Sequence, residues 1–316
     1  MTGSVPEAVN GKFQLDDLLH VKARQAPKAF EPFWQECYQR VLRHRPKISL
    51  QDTGETRKHW KIYDVYFEST QGVTIGGWLL LPESGVIRRG FVISHGYSGR
   101  TGPDFYLPFD DAALYFPCCR GISRSPHHPI SPDPYWHVLH DIDKNDEYII
   151  RGCVEDVWLS VTVLLTLYPH LTNRIGLLGT SFGGGIGTLA LAQDHRIAKA
   201  HFNVPTFGHH SLRLRIPTEG SGRAVQDFFK REPHKLIRTI RMYDAAFAAR
   251  LIRVPVHYAL ALKDDVVTPP GQFSIFNETH SDKQLFVLDA GHQSYPNQNR
   301  QYRELKLQLK TFFQDL

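Results

Sequence analysis

One short segment bounded by glycines, residues 179–183, restricts the possible folds more than any other part of the chain. It has the sequence Gly-Thr-Ser-Phe-Gly and separates an apolar run of strand length, residues 175–178, from a small and apolar stretch, residues 184–192, that suits a buried helix. A G-x-S-x-G pattern between a strand and a helix is typical of a nucleophile elbow, in which a serine hydroxyl is exposed above a sheet. We therefore predict that Ser181 is a nucleophile, flanked by glycines because a Cβ would collide where the chain reverses.

Two other interpretations of this segment compete with the elbow. Residues 185–190 fit the loose pattern G-x-G-x-x-A of a dinucleotide-binding turn. Those glycines fall inside the predicted helix, however, and the segment about 20 residues later lacks the acidic residue that would bind a ribose. A chance match is the second alternative, and the strand–turn–helix setting argues against it.

The remaining apolar runs alternate between strand and helix. Predicted strands occupy residues 60–67, 73–81, 91–94, 112–116, 175–178, 197–204, 254–262 and 285–288, and predicted helices residues 15–19, 30–42, 147–167, 184–192 and 302–313. This order predicts a single α/β domain over residues 1–316, with a mostly parallel central sheet and helices on both faces. Residues 1–50 are predicted to form a helical N-terminal extension, and residues 208–250 a helical insertion before the strand that carries the catalytic acid.

A serine nucleophile needs a general base, and the base needs an acidic partner that holds its tautomer. In an α/β-hydrolase these residues follow in the order Ser, Asp or Glu, His. Asp264 and Asp265 follow the strand at residues 254–262, and His292 follows the strand at residues 285–288. Either aspartate could orient His292, and we prefer Asp265 because it stands four residues before Pro269. Each residue alone could be a helix cap or a surface histidine, but their order after successive strands favours a triad.

The turn after the strand at residues 91–94 is a candidate for an oxyanion hole. In this fold the corresponding loop supplies one backbone N–H, and the residue after the nucleophile supplies the other. The sequence His-Gly-Tyr at residues 95–97 stands at that place. We predict the N–H groups of Tyr97 and Phe182 as the donors, with a simple tight turn as the alternative.

Taken together, the chain resembles the acetyl xylan esterase and cephalosporin C deacetylase family, carbohydrate esterase family seven. The resemblance is carried by residues 30–34, 72–82, 95–97, 120–121, 179–184, 243–250 and 265–270. It implies a Ser181, Asp265 and His292 triad, oxyanion donors at Tyr97 and Phe182, and deacetylation of small acetylated sugars without a metal. It also implies a ring-shaped hexamer.

Several positions depart from the family pattern. The chain has Ile122 where the family has Gln after Arg-Gly, Phe182 where it has Gln after the serine, and Gln293 where it has Glu after the histidine. Cys118 replaces an aspartate two residues before Arg120. We expect a divergent member whose acyl or leaving group differs, with a new partner for Arg120.

Composition excludes several other classes of function. Hydrophobic residues make up 41% and charged residues 22% of the 316 residues, which is ordinary for a globular protein. The formal charge of +5 is small and its Lys and Arg residues are scattered, so nucleic-acid binding is not expected. No apolar run approaches the ~20 residues of a membrane helix, and residues 1–12 do not resemble a signal peptide. The expected location is the cytoplasm.

Cysteine and histidine spacing predicts neither a disulfide scaffold nor a metal site. The 4 cysteines are expected to be reduced and mostly buried. The 17 histidines are densest at residues 127–128, 137–140 and 209–210, without a zinc-binding spacing. No cofactor is expected, and the expected partners are a small ester substrate and other copies of the chain.

Three alternatives to a deacetylase remain open. The same triad could cleave peptide bonds or esters of longer acyl chains. A catalytically silent hydrolase fold could instead serve as a binding protein, since fold does not fix function. A peptidase would need a site for the chain that flanks the scissile bond, and the sequence contains no separate domain of propeller size.

Overall fold

The computed structural model describes residues 6–8 and 12–316. Parts of the predicted N-terminal extension, residues 1–5 and 9–11, lie outside the described residues, as does most of the segment compared with a signal peptide. The helices are α1 (Leu15–Leu19), α2 (Phe30–Leu42), α3 (Pro134–His137), α4 (Ile149–Leu167), α5 (Phe182–Leu191), α6 (His210–Arg213), α7 (Gly220–Arg231), α8 (Pro233–Ile240), α9 (Ala245–Ala249), α10 (Pro269–Glu278) and α11 (Gln298–Phe312). The strands are β1 (Ile48–Arg57), β2 (Trp60–Glu68), β3 (Thr74–Pro82), β4 (Arg89–Ser94), β5 (Ala112–Pro117), β6 (Ile175–Thr180), β7 (Ile197–Asn203), β8 (Val256–Ala261) and β9 (Lys283–Leu288).

The strands form one sheet in the order β1-β2-β3-β5-β4-β6-β7-β8-β9. Strands β1, β2, β3 and β5 pair antiparallel in turn, and β5, β4, β6, β7, β8 and β9 run parallel. The mostly parallel central sheet confirms the predicted architecture, and β1, β2 and β3 add an antiparallel part to it. Because β4, β6, β8 and β9 are parallel, the loops that follow them emerge at one edge of the sheet.

Apolar side chains cover both faces of the sheet. On one face, Trp34 of α2 makes edge-to-face contacts with Trp158 of α4 and with Tyr243. On the other face, Phe91 of β4 stacks on Phe109 with ring centroids 4.1 Å apart, and Phe313 packs against both rings. Aromatic packing of this kind fixes the strands that carry the loops of the site.

Three elements were missed from the sequence: the four-residue helix α3, strand β1 and helix α10. Strand β1 is exposed along almost its whole length, so its residues show no apolar alternation that would reveal it. Helix α10 is buried on nearly every side, so it has no polar face and no helical periodicity. A signal for α10 was available in Pro269 and Pro270, because proline is favoured in the first turn of a helix.

The segment between β7 and β8 contains helices α6 to α9. The part of the N-terminal extension that the structure describes lies against the later strands, since the Phe13 N–H donates to the Leu262 carbonyl at 2.9 Å. The side chain of Asn277 in α10 donates to the carbonyls of Leu18 and Val21, at 2.8 Å each. These bonds fix the start of the chain against the helix that follows the Asp264 loop.

Candidate active site

Ser181 occupies the turn between β6 and α5 with an unusual backbone conformation. Its φ is 55° and its ψ is −114°, a sparsely populated region for a residue with a side chain. The turn is tight, because a Cβ on Gly179 would lie 2.4 Å from the Gly183 carbonyl oxygen. A Cβ on Gly183 would lie 2.7 Å from the His95 carbonyl oxygen. The sequence therefore needs glycine at both positions of the predicted elbow.

The Ser181 hydroxyl is hydrogen-bonded to His292. The distance from Ser181 Oγ to His292 Nε2 is 2.9 Å, although 111 residues separate them in sequence. On the opposite side of the ring, His292 Nδ1 lies 2.8 Å from Oδ2 and 3.0 Å from Oδ1 of Asp264. A carboxylate at Nδ1 keeps the proton there and leaves Nε2 free to accept the serine proton.

Asp264 is held rigidly in this position. Its side chain is fully buried, and Oδ1 accepts the N–H groups of Val266 and Val267 at 2.9 Å each. Oδ2 accepts the Gln272 side-chain N–H at 3.1 Å, besides contacting His292. Four donors therefore surround the carboxylate, and they fix its orientation against the imidazole ring.

The structure brings Asp264 to His292, and not Asp265, the residue that was preferred from the sequence. Asp265 is exposed, and its Oδ2 accepts a hydrogen bond from the side chain of Gln293 at 2.8 Å, not from His292. The physical reason is local: the Asp264 carboxylate accepts the N–H groups two and three residues later and so turns inward. The next side chain along the chain then points away from the sheet, which spacing to a proline cannot reveal.

The predicted oxyanion donors lie on adjoining segments. Phe182 begins α5, where the first N–H has no intrahelical acceptor and the helix dipole favours an anion. Among the hydrogen bonds of the described residues, none starts from the Tyr97 N–H. The Tyr97 and Phe182 rings stack with centroids 4.1 Å apart, and a Cβ on Gly96 would lie 3.7 Å from that of Ser181. The geometry brings the two donors beside Ser181, and their role stays a prediction.

His95 holds the loop that carries Tyr97. Its Nε2 accepts the N–H of Cys119 at 2.9 Å, and its Nδ1 lies 2.7 Å from the Gly96 carbonyl oxygen. Nε2 is therefore unprotonated, and the Nδ1 proton is donated to Gly96. Burial lowers the pKa of His95 from 6.5 to about 4, so the imidazole is neutral at physiological pH. The sequence drew attention to this histidine but did not reveal that it connects the backbone of Cys119 to that of Gly96.

Comparison with known proteins settles the family. A model of the acetyl xylan esterase family matches residues 11–310. The chain belongs to this family. Membership confirms the resemblance inferred from the motifs, and makes the protein a serine carboxylic-ester hydrolase of the kind that deacetylates acetylated sugars.

Solved structures of family members and of more distant enzymes share the fold. An acetyl xylan esterase from Paenibacillus sp. R4 is 21% identical with a TM-score of 0.83, and the match covers 94% of this chain and 99% of that one. Acetyl xylan esterase 1 from Thermoanaerobacterium sp. JW/SL YS485 is 20% identical with a TM-score of 0.78 over the same shares. A Pyrococcus horikoshii acylaminoacyl peptidase is 15% identical with a TM-score of 0.62, over 81% of this chain and 42% of that one. These similarities show the α/β-hydrolase fold.

Arg120, a residue of the family motif, is fully buried beneath the site. Its Nη2 donates to Asp156 Oδ1 at 2.7 Å and its Nε to Asp156 Oδ2 at 3.0 Å. Further bonds connect it to the side chains of Gln71, Ser69 and Thr70. Asp156 is thus the partner of Arg120 in this member of the family. Sequence reasoning missed Asp156 because it lies inside helix α4, far from any motif.

Aromatic side chains and a strained segment complete the surroundings of Ser181. The ring of Phe207 meets that of Phe182 edge to face at 6.2 Å. Val204, Phe207 and His209 all have positive φ, at 42°, 67° and 52°. The Thr206 N–H donates to the Ser181 carbonyl at 3.1 Å and connects this segment to the elbow. Such a cluster of unfavourable conformations is typical of a functional site.

Among residues 6–8 and 12–316, no three His, Cys, Asp or Glu side chains are grouped in a way that could hold a metal ion. Over the same residues, no helix combines the length and apolar character needed to cross a bilayer.

Proposed function

We propose that Ser181, His292 and Asp264 form the catalytic triad with which this family member deacetylates small acetylated sugars. The observation that carries the proposal is the continuous hydrogen-bonded chain from Ser181 Oγ through His292 to the buried carboxylate of Asp264. Family membership supports the acetyl ester as substrate. No metal or cofactor is needed for this chemistry.

Acylation begins with the hydrogen bond between Ser181 and His292. Ser181 Oγ attacks the acetyl carbonyl carbon while its proton passes to His292 Nε2, and the carbonyl oxygen becomes an oxyanion. Collapse of the tetrahedral intermediate breaks the bond to the sugar oxygen, which takes the proton from His292. The sugar leaves as an alcohol, and Ser181 carries the acetyl group.

Deacylation repeats these steps with water. His292 accepts a proton from the water as its oxygen attacks the acetyl-serine, and then returns a proton to Ser181 Oγ as acetate leaves. In both halves the Asp264 carboxylate orients His292 and stabilises the imidazolium. The hydrogen bonds to Asp264 support this role, because they hold the carboxylate against the imidazole ring.

We further propose that the N–H groups of Tyr97 and Phe182 stabilise the oxyanion. Both are main-chain donors, so the substitution of the family's glutamine by Phe182 leaves the donor in place. Removing one such donor typically costs about 100- to 1000-fold in kcat. The stacked rings of Tyr97 and Phe182 support the proposal, since they fix the relative position of the two backbone segments.

The test is hydrolysis of p-nitrophenyl esters from acetate to octanoate by the wild type, Ser181→Ala and the control Ser84→Ala. Ser84 is an exposed serine in the turn after β3. We expect a preference for acetate that is lost in Ser181→Ala and kept in Ser84→Ala. A preference for octanoate would contradict deacetylation and leave the triad intact. Absence of activity in the folded wild type would contradict the triad.

Three further points are proposals. We propose that residues 1–316 form one domain, supported by the bonds between the start of the chain and α10, and expect a single cooperative unfolding transition. We propose a reducing location such as the cytoplasm, supported by four buried free thiols. The homo-oligomer, a hexamer by family resemblance, is tested by light scattering on the purified protein, where a monomer would contradict it.

A further inference from the structure

A second cavity borders the active site on the face of the sheet that is covered by α11. Its volume is about 410 Å³, which is in the range of cavities that hold small ligands. The described residues that line it include none of the groups assigned above to the triad and the oxyanion hole. They do include Gly96, which precedes Tyr97, and Thr180, which precedes Ser181. An occupant would therefore contact the backbone that carries the nucleophile without reaching the reacting atoms.

Apolar side chains form a large part of the wall of this cavity. Two of them, Leu305 and Leu309, stand four residues apart on α11 and so lie on the same face of the helix. Ile93 in β4, Leu178 in β6 and Leu107 in the loop before β5 also line the cavity. The sheet and the helix thus both present apolar surface to it. An apolar body gains free energy by leaving water for such a surface.

Arg100 adds a cation to this largely apolar wall. Among the described residues, no carboxylate oxygen lies within 4.0 Å of its nitrogens. Its Nη2 donates to the Ile93 carbonyl at 3.2 Å, and its Cζ lies 4.9 Å from the centre of the Phe116 ring. Burial lowers the pKa of Arg100 from its usual value, yet a guanidinium stays protonated in a protein. The contacts of Arg100 therefore fix its position without neutralising its charge.

The Arg100 side chain keeps one nitrogen available for a ligand. Nε is enclosed by protein and has no partner, whereas Nη1 keeps exposed surface and makes no hydrogen bond to the described residues. Asn203, Tyr302 and Lys306 line the same cavity, and their side-chain N–H and O–H groups likewise make no hydrogen bond to the described residues. Four lining residues thus carry unused donors, a set that favours an acceptor such as a carboxylate.

The charges around the cavity favour an anion. Arg100 and Lys306 are cations, and Asp104 is the one carboxylate among the described residues that line it. Asp104 is exposed, and its Oδ1 accepts an N–H of its own loop at 2.7 Å. The two histidines in the wall, His95 and His201, are neutral at physiological pH, because burial lowers their pKa values to about 4 and about 3. One positive charge is therefore left in excess.

We propose that this cavity is a second binding site, which takes a small carboxylic acid with an apolar body. The carboxylate accepts from Arg100, and the body lies against the leucines of α11. A neutral molecule of the same shape would cover the guanidinium without supplying a counter-ion, which is the basis of discrimination. The site is distinct from the proposed ester site at Ser181 and does not depend on it.

The binding test compares naphthalene-2-carboxylate with naphthalene-2-carboxamide, which has nearly the same shape and no charge. Isothermal titration calorimetry on the wild type should show the acid bound about 10-fold more tightly, since a hydrogen bond to a charged group is worth about that factor. Arg100→Met should bring the ratio of the two dissociation constants close to one. Arg303→Met is the matched control, because Arg303 is exposed on α11 outside the cavity and should leave the ratio unchanged.

Two further measurements serve if Arg100→Met does not fold, and they separate this site from the ester site. Leu107 is half-buried in the wall of the cavity, so Leu107→Trp should fill the space and abolish binding of the acid by the folded variant. Esterification of Ser181 with diisopropyl fluorophosphate should leave binding of the acid unchanged, because the reacting groups lie outside the cavity.

Several results would overturn the inference: no binding of the acid by the wild type, equal affinity for the two probes, an acid preference that Arg100→Met retains, or loss of binding when Ser181 is esterified. A Ser181 that does not react with the fluorophosphate would contradict the proposed function instead. The affinity ratio in the wild type and the variants would still decide whether the second site exists.

Discussion

Replacing Asp264 by asparagine should nearly abolish catalysis, whereas the same change at Asp265 should not. The two residues are neighbours in sequence, and either change removes one negative charge while keeping the side-chain shape. The Asp264 side chain is fully buried against His292, whereas Asp265 is exposed and its carboxylate accepts a hydrogen bond from the amide of Gln293. The pair is therefore a matched test of which carboxylate serves the histidine.

The surroundings of Asp264 decide which way an asparagine amide would point. The Val266 and Val267 N–H groups both donate to Oδ1, so the amide oxygen would take that place and the NH₂ group would replace Oδ2. Gln272 cannot adapt by turning its own amide. Its oxygen accepts the Ala261 N–H at 2.9 Å, and its nitrogen donates to the Val267 carbonyl at 2.6 Å.

An NH₂ group at the place of Oδ2 would face His292 Nδ1 as a donor. The imidazole would then expose Nδ1 as an acceptor and carry its proton on Nε2, towards Ser181. A protonated Nε2 cannot accept the serine proton. Loss of the correct tautomer typically lowers kcat by about 10,000-fold, equivalent to roughly 5.5 kcal/mol in activation free energy.

The assay is kcat/KM for p-nitrophenyl acetate in Asp264→Asn, Asp265→Asn and the wild type, with thermal melting to confirm folding. We expect a loss of about 1,000- to 10,000-fold in Asp264→Asn and less than about 3-fold in Asp265→Asn. A larger loss at Asp265 than at Asp264 would refute the geometric reasoning. Comparable small losses in both folded variants would refute a catalytic carboxylate at this loop.

Three other changes follow from contacts around the site. In Gly291→Ala the new Cβ would lie 2.0 Å from Asp264 Oδ2, so we expect kcat for p-nitrophenyl acetate to fall by at least about 10-fold, and an unchanged kcat would contradict this. Arg120→Met leaves the Asp156 carboxylate buried without its cation and should lower the free energy of unfolding in urea by about 3–5 kcal/mol, whereas a loss below 1 kcal/mol would contradict a buried pair. Burial lowers the pKa of His201 from 6.5 to about 3, so the unfolded chain binds more protons between these values and stability falls as the pH drops below 6.5. His201→Asn should remove up to about 3 kcal/mol of that loss between pH 7 and pH 4, and identical pH dependence in both proteins would contradict the assignment.

The sequence was sufficient to select the serine and the histidine that the structure brings together, because each is defined by local pattern and chain order. Ser181 follows an apolar strand and precedes a glycine-rich helix, and His292 follows the last strand. The acid could not be chosen in the same way, because Asp264 and Asp265 both follow β8. Burial and four hydrogen bonds distinguish them, and these depend on Gln272 and on backbone groups that no spacing rule includes.

Long-range partners account for most of what was missed. Asp156 lies in the middle of an apolar helix, and only the folded structure shows that it pairs with Arg120. Arg213 presents the opposite case, because a charged residue in a predicted helical insertion gave no reason to expect burial. In physical terms, the apolar pattern that predicts strands and helices is local in sequence, whereas the partners of buried charges lie on elements far apart in the chain.

Ile122, Phe182 and Gln293 depart from the family pattern, yet they change the positions of the reacting groups little. The reason is that these groups are held mainly by hydrogen bonds to the backbone. His95 accepts a hydrogen bond from the Cys119 N–H, and Asp264 accepts two from N–H groups of its own loop. The Ser181 carbonyl oxygen accepts a hydrogen bond from the Thr206 N–H. None of these bonds depends on the side chains at positions 122, 182 or 293. Side-chain change at those positions can therefore alter the shape and polarity of the pocket while the triad keeps its geometry. This separation allows ester hydrolysis to be retained while the pocket that receives the alcohol part of the ester changes.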